Sequence, residues 1–187
     1  MGIPVSAHAY GGEGLKRAVL AGIDSVEHAS LATPEMLSLI KKQGIYLVPT
    51  QYTSEDSLNN LDNPAYWKGH TRAEYLKTLK YADAIRSAQR NLANSDVKVV
   101  FGTDTGLFPF KYNWKEFPTM VKNGISPLRA LKSATSTAAE MLRYPNIGVL
   151  AVGKMADIIA MPGNPLLDIS LTGKVDFVMK EGFIYKQ

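Results

Sequence analysis

The chain has 187 residues, of which 45% are hydrophobic and 20% are charged, so it can form one substantial core and is not a disordered polymer. Lysine and arginine number 21 against 17 acidic residues, but the basic residues are scattered, and we expect no nucleic-acid partner. Cysteine is absent, which excludes disulfides, thiolate metal ligands and a cysteine nucleophile. No apolar stretch approaches the ~20 residues that a membrane span needs, so no membrane partner is expected either.

Apolar runs of strand length alternate with segments of helical periodicity from residue 3 to about residue 144. This alternation is typical of a parallel α/β arrangement and predicts four strand-helix units. The predicted strands span residues 3–9, 24–29, 45–50 and 98–102. The predicted helices span about residues 13–21, 33–44, 71–92, 114–123, 127–134 and 136–142.

Two stretches between these elements are rich in aromatic residues. Residues 51–69 form the longest stretch without a clear period, and we predict an irregular, functional loop there. The helix that follows is predicted to bury a stripe that includes Leu76 and Leu79. A second aromatic loop follows the fourth strand. Both loops are candidates for the wall of a substrate pocket.

The character of the chain changes after Arg143, where short apolar runs alternate with turns rich in glycine and proline. This pattern predicts a small β appendage. We therefore divide the chain into residues 1–145, the α/β part, and residues 146–187, the β part.

Three polar residues follow apolar runs at the predicted strand ends: His8, His28 and Asp104. In parallel α/β sheets and barrels the loops after the carboxyl ends of the strands build the active site. Adjacent strands lie about 4.8 Å apart, so the side chains of His8 and His28 can converge on one ion, with Asp104 at a third strand end. Imidazole and carboxylate ligands suit a divalent metal ion, first of all zinc.

Such an ion activates water for hydrolysis, and a neighbouring carboxylate accepts the proton. Asp104 is the candidate for this general base as well as for a metal ligand. Tyr10 lies two residues beyond His8 on the same strand face and is a candidate contact for a substrate oxygen. Each residue also has an ordinary explanation: a histidine satisfied in the core, a turn-capping aspartate, a half-buried tyrosine.

Two alternatives from other classes remain open. One is a non-enzymatic metal-binding or scaffold protein that keeps the strand-end residues without turnover. The other is a sugar- or phosphate-binding protein that uses the aromatic loops and the glycine-rich segment 11–14, although this segment has neither the dinucleotide fingerprint nor the P-loop lysine.

The motifs HAYG with His8, SVEH with His28 and FGTD with Asp104, in this order, resemble the metal-dependent amidohydrolases. The chain is most similar to the branch with imidazolonepropionase-like and Xaa-Pro dipeptidase-type members. A closing segment that begins SATSTAAEMLRYPNIGVLAVGKMADIIAM is similar to the family's passage from barrel to β-sandwich. The resemblance implies the last four units of a (β/α)8 TIM barrel in residues 1–145 and strands of a small β-sandwich in residues 146–187.

The resemblance also implies functions for single residues. His8 and His28 would bind the more exposed metal ion, Asp104 would bind the buried one and act as the base, and Tyr10 would contact a substrate oxygen. The implied reaction is hydrolysis of an amide C–N bond in a dipeptide or cyclic amide.

Two ligand groups of the family, the HxH pair of the first strand and the bridging lysine or glutamate of the fourth, have no counterpart in this sequence. We therefore expect little or no activity from the chain alone. Its outer strands would expose unpaired edges, which predicts a homo-oligomer or pairing with the missing N-terminal half.

Overall fold

The computed structural model describes residues 2–187 and contains two separate three-stranded sheets. The first sheet is parallel and has its strands in chain order: β1 (Ser6–Ala9), β2 (Ser25–His28) and β3 (Tyr46–Val48). These strands are shorter than predicted. The strands were predicted from runs of apolar residues, and such runs mark buried residues, not hydrogen-bonded ones. Ile45, for example, is 3% exposed but lies outside β3.

The fourth predicted strand, residues 98–102, forms only a single parallel bridge, between Leu47 and Val99. Two backbone hydrogen bonds of 2.9 Å join it to β3: Leu47 N–H donates to the Lys98 carbonyl, and Val100 N–H donates to the Leu47 carbonyl. Gly102 then passes so close to β3 that an added Cβ would lie 2.3 Å from Val48 Cγ1. The segment thus lies in the position predicted for a fourth strand, but the ladder ends after one bridge.

Eight α-helices occur in the described part of the chain, together with two 3-10 helices at Phe110–Lys115 and Ile169–Gly173. Their bounds are α1 (Gly12–Leu20), α2 (Pro34–Lys42), α3 (Gln51–Asn59), α4 (Pro64–Trp67), α5 (Arg72–Ala93), α6 (Glu116–Lys122), α7 (Pro127–Ser133) and α8 (Ser136–Met141). The predicted start of α2 is confirmed: Thr33 Oγ1 accepts from Met36 N–H at 3.3 Å, and Pro34 occupies the first helical position. None of these helices is long and apolar enough to cross a bilayer.

The core lies between the parallel sheet and its helices. Val26 and Leu47 contribute the sheet side, and their exposed fractions are 0% and 1%. Both belong to a single cluster with buried side chains of α1, α2, α5, α6 and α7, among them Leu15, Val19, Leu37, Ile40, Leu92, Met120 and Ala130. The helices therefore hold the strands, and with them the strand ends, in a fixed arrangement.

The prediction of an irregular loop over residues 51–69 was wrong, because α3 and α4 lie within it. The helix α3 buries Gln51 and Glu55 along with Leu58, so its inward face carries no apolar stripe that sequence periodicity could detect. Its first backbone N–H groups are bound by a side chain distant in sequence, that of Glu116. Only the tertiary structure supplies this partner.

The predicted buried stripe of α5 holds for the second half of the helix and is wrong for the first. Ala82, Ala88 and Leu92 are buried, whereas Leu76 and Leu79 are 47% and 50% exposed. Most side chains in the first half of α5 are exposed, and a capping box at Thr71 stabilises the start of the helix.

The second sheet confirms the short strands predicted after Arg143. It is antiparallel, in the order β4 (Ile158–Ala160), β5 (Phe177–Lys180) and β6 (Phe183–Lys186). The 3-10 helix Ile169–Gly173 between β4 and β5 packs against α6. The fold is thus α/β with an added antiparallel sheet; the barrel, the sandwich and the boundary at residue 145 stay predictions.

Candidate functional site

The structure brings His8 and His28 together at the carboxyl ends of β1 and β2. Their ring centroids are 4.5 Å apart, and the ring planes make an angle of 75°. His8 is exposed, whereas His28 is 9% exposed. The two histidines therefore form a pair with one ring open to solvent and one held in the protein.

The backbone at the end of β2 is responsible for this approach. His8 lies opposite Glu27 in the register, and Ala9 lies opposite His28. Because paired positions of parallel strands share a face and successive residues alternate, an extended His28 would point away from His8. His28 and Ala29 instead adopt φ values of 73° and 47°, in the left-handed region. Non-glycine residues rarely adopt this region, and such strain is concentrated at functional sites.

The ring of His28 has a hydrogen-bond partner in Thr50. Thr50, directly after β3, has its Oγ1 2.8 Å from Nδ1 of His28. Burial lowers the pKa of His28, and the neighbouring His8 lowers it further, whereas the charges of Asp104 and Glu27 act in the opposite direction. The neutral imidazole is therefore favoured, which is the form that binds metal ions.

Tyr10 lies against both imidazoles. Its ring centroid is 4.9 Å from that of His8, in an edge-to-face arrangement, and 5.3 Å from that of His28, with an interplanar angle of 26°. The side chain is 40% exposed. Its predicted position beside His8 is thus confirmed, and its predicted contact with a substrate oxygen stays a prediction.

Two residues that contact this cluster, Thr50 and Lys77, were not predicted from the sequence. Thr50 is a polar residue at a strand end, and the same rule that selected His8 and His28 could have found it. Lys77 lies on the first half of α5, with its Nζ 4.5 Å from the ring centroid of Tyr10. No sequence signal marks Lys77, because its place beside Tyr10 depends on the tertiary packing of α5.

Asp104 follows the fourth extended segment, as predicted, with a left-handed φ of 53° and an exposed side chain. Its neighbour Thr103 is buried and accepts, through its carbonyl, a hydrogen bond of 2.9 Å from the hydroxyl of Thr53. The Asp104 carboxylate is near enough to raise the pKa of His28. The loop is thus attached to α3 while Asp104 itself remains accessible.

The donor atoms at these strand ends meet several needs of a divalent ion. A neutral, buried imidazole beside a second, exposed imidazole suits such an ion, and a hydrogen bond at Nδ1 of His28 leaves its Nε2 for coordination. Over residues 2–187 no three side chains of His, Cys, Asp or Glu form a ready metal-binding group. The pair His8–His28 therefore fits as part of a metal centre, with Asp104 as the nearby carboxylate.

The first glycine of segment 11–14, the segment behind the phosphate-binding alternative, has a packing explanation. A Cβ added to Gly11 would lie 2.8 Å from Cβ of Leu31 and 3.0 Å from its carbonyl oxygen. Gly11 is therefore needed where the start of α1 passes the loop after β2. This close approach accounts for the glycine without a bound phosphate.

Fold and site together define an α/β protein with paired histidines at adjacent strand ends, and comparison with known proteins gives the family. The model of the amidohydrolase family matches residues 1–184, and the chain belongs to this family. The predicted membership of the amidohydrolase family is thereby confirmed.

Three relatives illustrate the similarity. Ochratoxinase of Aspergillus niger is 33% identical over 188 residues, which cover 97% of this chain and 38% of the relative. The solved structure of a Xaa-Pro dipeptidase with bound methionine in its active site is 37% identical, with a TM-score of 0.90, over 100% of this chain and 45% of the other. A prolidase complexed with N-methylphosphonate-L-proline is 31% identical, with a TM-score of 0.83, over 98% of this chain and 45% of the other. The chain thus spans less than half the length of these relatives.

Proposed function

We propose that this chain carries part of the active site of a metal-dependent hydrolase that cleaves amide C–N bonds. The observation that carries the proposal is the pair His8–His28, with ring centroids 4.5 Å apart at adjacent strand ends. Membership of the amidohydrolase family gives this pair its chemical context. A surface pair of histidines alone would carry no such meaning.

His8 and His28 would hold a divalent ion, for which zinc is the first candidate, and Asp104 would contribute a carboxylate ligand. When bound, the ion lowers the pKa of water and polarises the substrate carbonyl. Asp104 accepts the proton of the attacking water and so acts as the general base. Tyr10 donates its hydroxyl proton in a hydrogen bond to a substrate oxygen.

The proposed substrate is a small amide, either a dipeptide or a cyclic amide. Two of the relatives described above are by name a Xaa-Pro dipeptidase and a prolidase, which supports the dipeptide. Lys77 adds a positive charge beside Tyr10, with Nζ 4.5 Å from the ring centroid. That charge is complementary to the free carboxylate of a dipeptide.

The chain alone is proposed to turn over little or no substrate. By family resemblance, further metal ligands belong to strands that this sequence does not contain, and two histidines are too few for the usual zinc site. Among the residues described, β1 pairs only with β2, so its outer edge is free to pair. We propose that the complete site forms with the missing N-terminal half or in a homo-oligomer.

The test measures metal binding and turnover separately. Calorimetric titration with Zn²⁺ is carried out on the chain and on the variants His8→Ala and His28→Ala. His70→Ala is the matched control, because the third histidine stacks on Tyr66, with ring centroids 4.8 Å apart, away from the pair. We expect each site variant to weaken Zn²⁺ binding at least tenfold and the control to leave it unchanged.

Turnover is then assayed with a dipeptide panel after the N-terminal half of a family member is added. Activity that is lost in Asp104→Asn supports the hydrolase. Tight Zn²⁺ binding without turnover under any of these conditions would favour the non-enzymatic metal-binding half-barrel. Equal Zn²⁺ affinity in His28→Ala and in the unchanged chain would refute the site.

A further inference from the structure

Glu116, the first residue of α6, is a buried carboxyl group that the proposed chemistry does not use. Its side chain is 0% exposed. Oε1 accepts from the backbone N–H of Gln51 at 2.9 Å, and Oε2 accepts from that of Tyr52 at 2.6 Å. These N–H groups belong to the first turn of α3 and have no partner within the helix. Glu116 thus caps a helix that begins 65 residues earlier in the sequence.

The residue that would ordinarily cap α3 is occupied elsewhere. Thr50 holds the capping position and is of a residue type that favours it, yet its side chain makes no capping hydrogen bond. Its Oγ1 lies instead 2.8 Å from Nδ1 of His28. The carboxyl group of Glu116 therefore leaves the hydroxyl of Thr50 free for the histidine.

This arrangement has a backbone cost at Thr50. Its φ is 44°, and a β-branched residue in the left-handed region is strained. Such strain persists only when the surroundings impose it, and the two hydrogen bonds that Glu116 accepts fix the residues directly after Thr50. Releasing them would let Thr50 relax and cap its own helix.

Packing alone does not hold the ring of His28. A cavity with room for about one water molecule lies beside it and is lined by Gln51 and Gln89, among others. Because a cavity adjoins the ring on that side, its orientation depends on the hydrogen bond in which Nδ1–H donates to Thr50 Oγ1. A loss of this bond would then change both the direction of the ring and the preferred position of its proton.

We propose that Glu116 is a positioning residue for the candidate metal ligand His28: by capping α3 it keeps Thr50 on Nδ1, so that Nε2 is left for the ion. This inference rests on the proposed metal site. It adds a residue that touches neither metal nor substrate and acts through Thr50.

The test compares Glu116→Gln with Glu55→Gln in the 187-residue chain. Glu55 is a matched control, because it is also buried between α3 and α6, where it binds Lys122, but it does not touch the start of α3. For Glu116→Gln we expect a loss of Zn²⁺ affinity of about tenfold, by calorimetric titration. Glu55→Gln should change the affinity less than about twofold, whatever it does to stability.

A second readout needs no metal. The 15N chemical shifts of the His28 ring report which nitrogen carries the proton; we expect the Nδ1–H form in the unchanged chain and a mixture of both forms in Glu116→Gln. Unchanged shifts together with unchanged Zn²⁺ affinity would overturn the proposal, as would an equal effect of Glu55→Gln. A chain that binds no Zn²⁺ but shows the tautomer change refutes the metal site and retains the link from Glu116 to His28.

Should Glu116→Gln not fold, Glu116→Asp keeps the charge but is too short to reach both N–H groups, and the same affinity loss is expected. The variants Thr50→Val and Thr50→Ser test whether the hydroxyl of Thr50 links Glu116 to His28. Valine removes the hydroxyl and should lower Zn²⁺ affinity about tenfold, whereas serine should retain it. In the double variant with Thr50→Val, Glu116→Gln should cause no further loss of Zn²⁺ affinity. Fully additive losses would contradict the proposal that Glu116 acts through Thr50.

Discussion

The parallel sheet and the antiparallel sheet of this chain differ in what covers them. The sides of β2 and β3 that face α1 and α2 are buried, with Val26 and Leu47 at 0% and 1% exposure. In the antiparallel sheet, Ile159 and Ile184 are 58% and 52% exposed. The candidate site lies at the ends of the first sheet, whose strands are held by the packed core. The parallel sheet, which carries the candidate site, is thus buried in a core, whereas the antiparallel sheet exposes apolar side chains.

The largest expected effect tests this contrast in stability. Leu47→Ala should lower the free energy of unfolding by about 2–5 kcal/mol, because the lost side chain leaves a cavity in the core. Leu167→Ala, the same substitution at a residue that is 88% exposed in the β part, should cost less than about 0.5 kcal/mol. Urea denaturation of both variants measures the difference, and similar losses would mean that the two regions are equally well packed.

A smaller effect is expected from pH, through the one buried carboxyl group at the start of α6. Burial raises the pKa of Glu116 to about 7 from 4.5, and the two backbone N–H groups only partly offset it. Folding therefore favours the protonated form. Its contribution to stability is fully present below pH 4.5 and is lost as the pH rises through about 7.

The size of this pH effect is on the order of 3 kcal/mol, because a tenfold change in a proton-binding constant corresponds to about 1.4 kcal/mol. Urea denaturation between pH 4.5 and about 8 should show it as a difference between the unchanged chain and Glu116→Gln, in which this titration is absent. Titrating groups that are remote from Glu116 and from the histidine it positions are common to both proteins and cancel. A difference that does not vary with pH would show that Glu116 keeps its ordinary pKa.

The smallest effect concerns two helix caps in differently packed surroundings. Thr71 caps α5 through a 3.2 Å hydrogen bond from Glu74 N–H, and Ser126 caps α7 through a 3.3 Å bond from Arg129 N–H. Each change to alanine should cost about 1 kcal/mol. For Thr71→Ala we expect faster amide hydrogen exchange in the exposed first half of α5, with little change in global unfolding.

Ser126→Ala should appear in global unfolding, because α7 contributes the fully buried Ala130 to the core. Equal effects of the two variants on global stability would mean that the first half of α5 is part of the cooperative core. That result would reverse the interpretation of Leu76 and Leu79 as unpacked residues.

Sequence reasoning reached the strands and most of the site for a simple reason. Strand ends are marked locally, by an apolar run followed by a polar residue, and parallel strands bring such ends together. His8, His28 and Tyr10 are adjacent in the structure as this rule predicts. The rule says nothing about distance or orientation, and the left-handed turn at His28 appears in no sequence pattern.

The errors have a common physical cause. The helix α3 buries polar residues, and its cap comes from Glu116, so no local signal announces it. The stripe with Leu76 and Leu79 has the correct period, but periodicity cannot say whether a neighbour covers it. In both cases the deciding partner is distant in the sequence.

The sequence by itself determined the α/β class, the amidohydrolase motifs and the identity of the candidate ligands, because these depend on residue type and short-range order. The tertiary structure alone decided that His28 is buried and His8 exposed, that Thr50 binds Nδ1, and that Lys77 reaches Tyr10. These features arise from contacts between residues that are far apart in the sequence, such as Thr50 and His28. Such contacts depend on how helices pack on the sheet, and packing is a property of the whole fold.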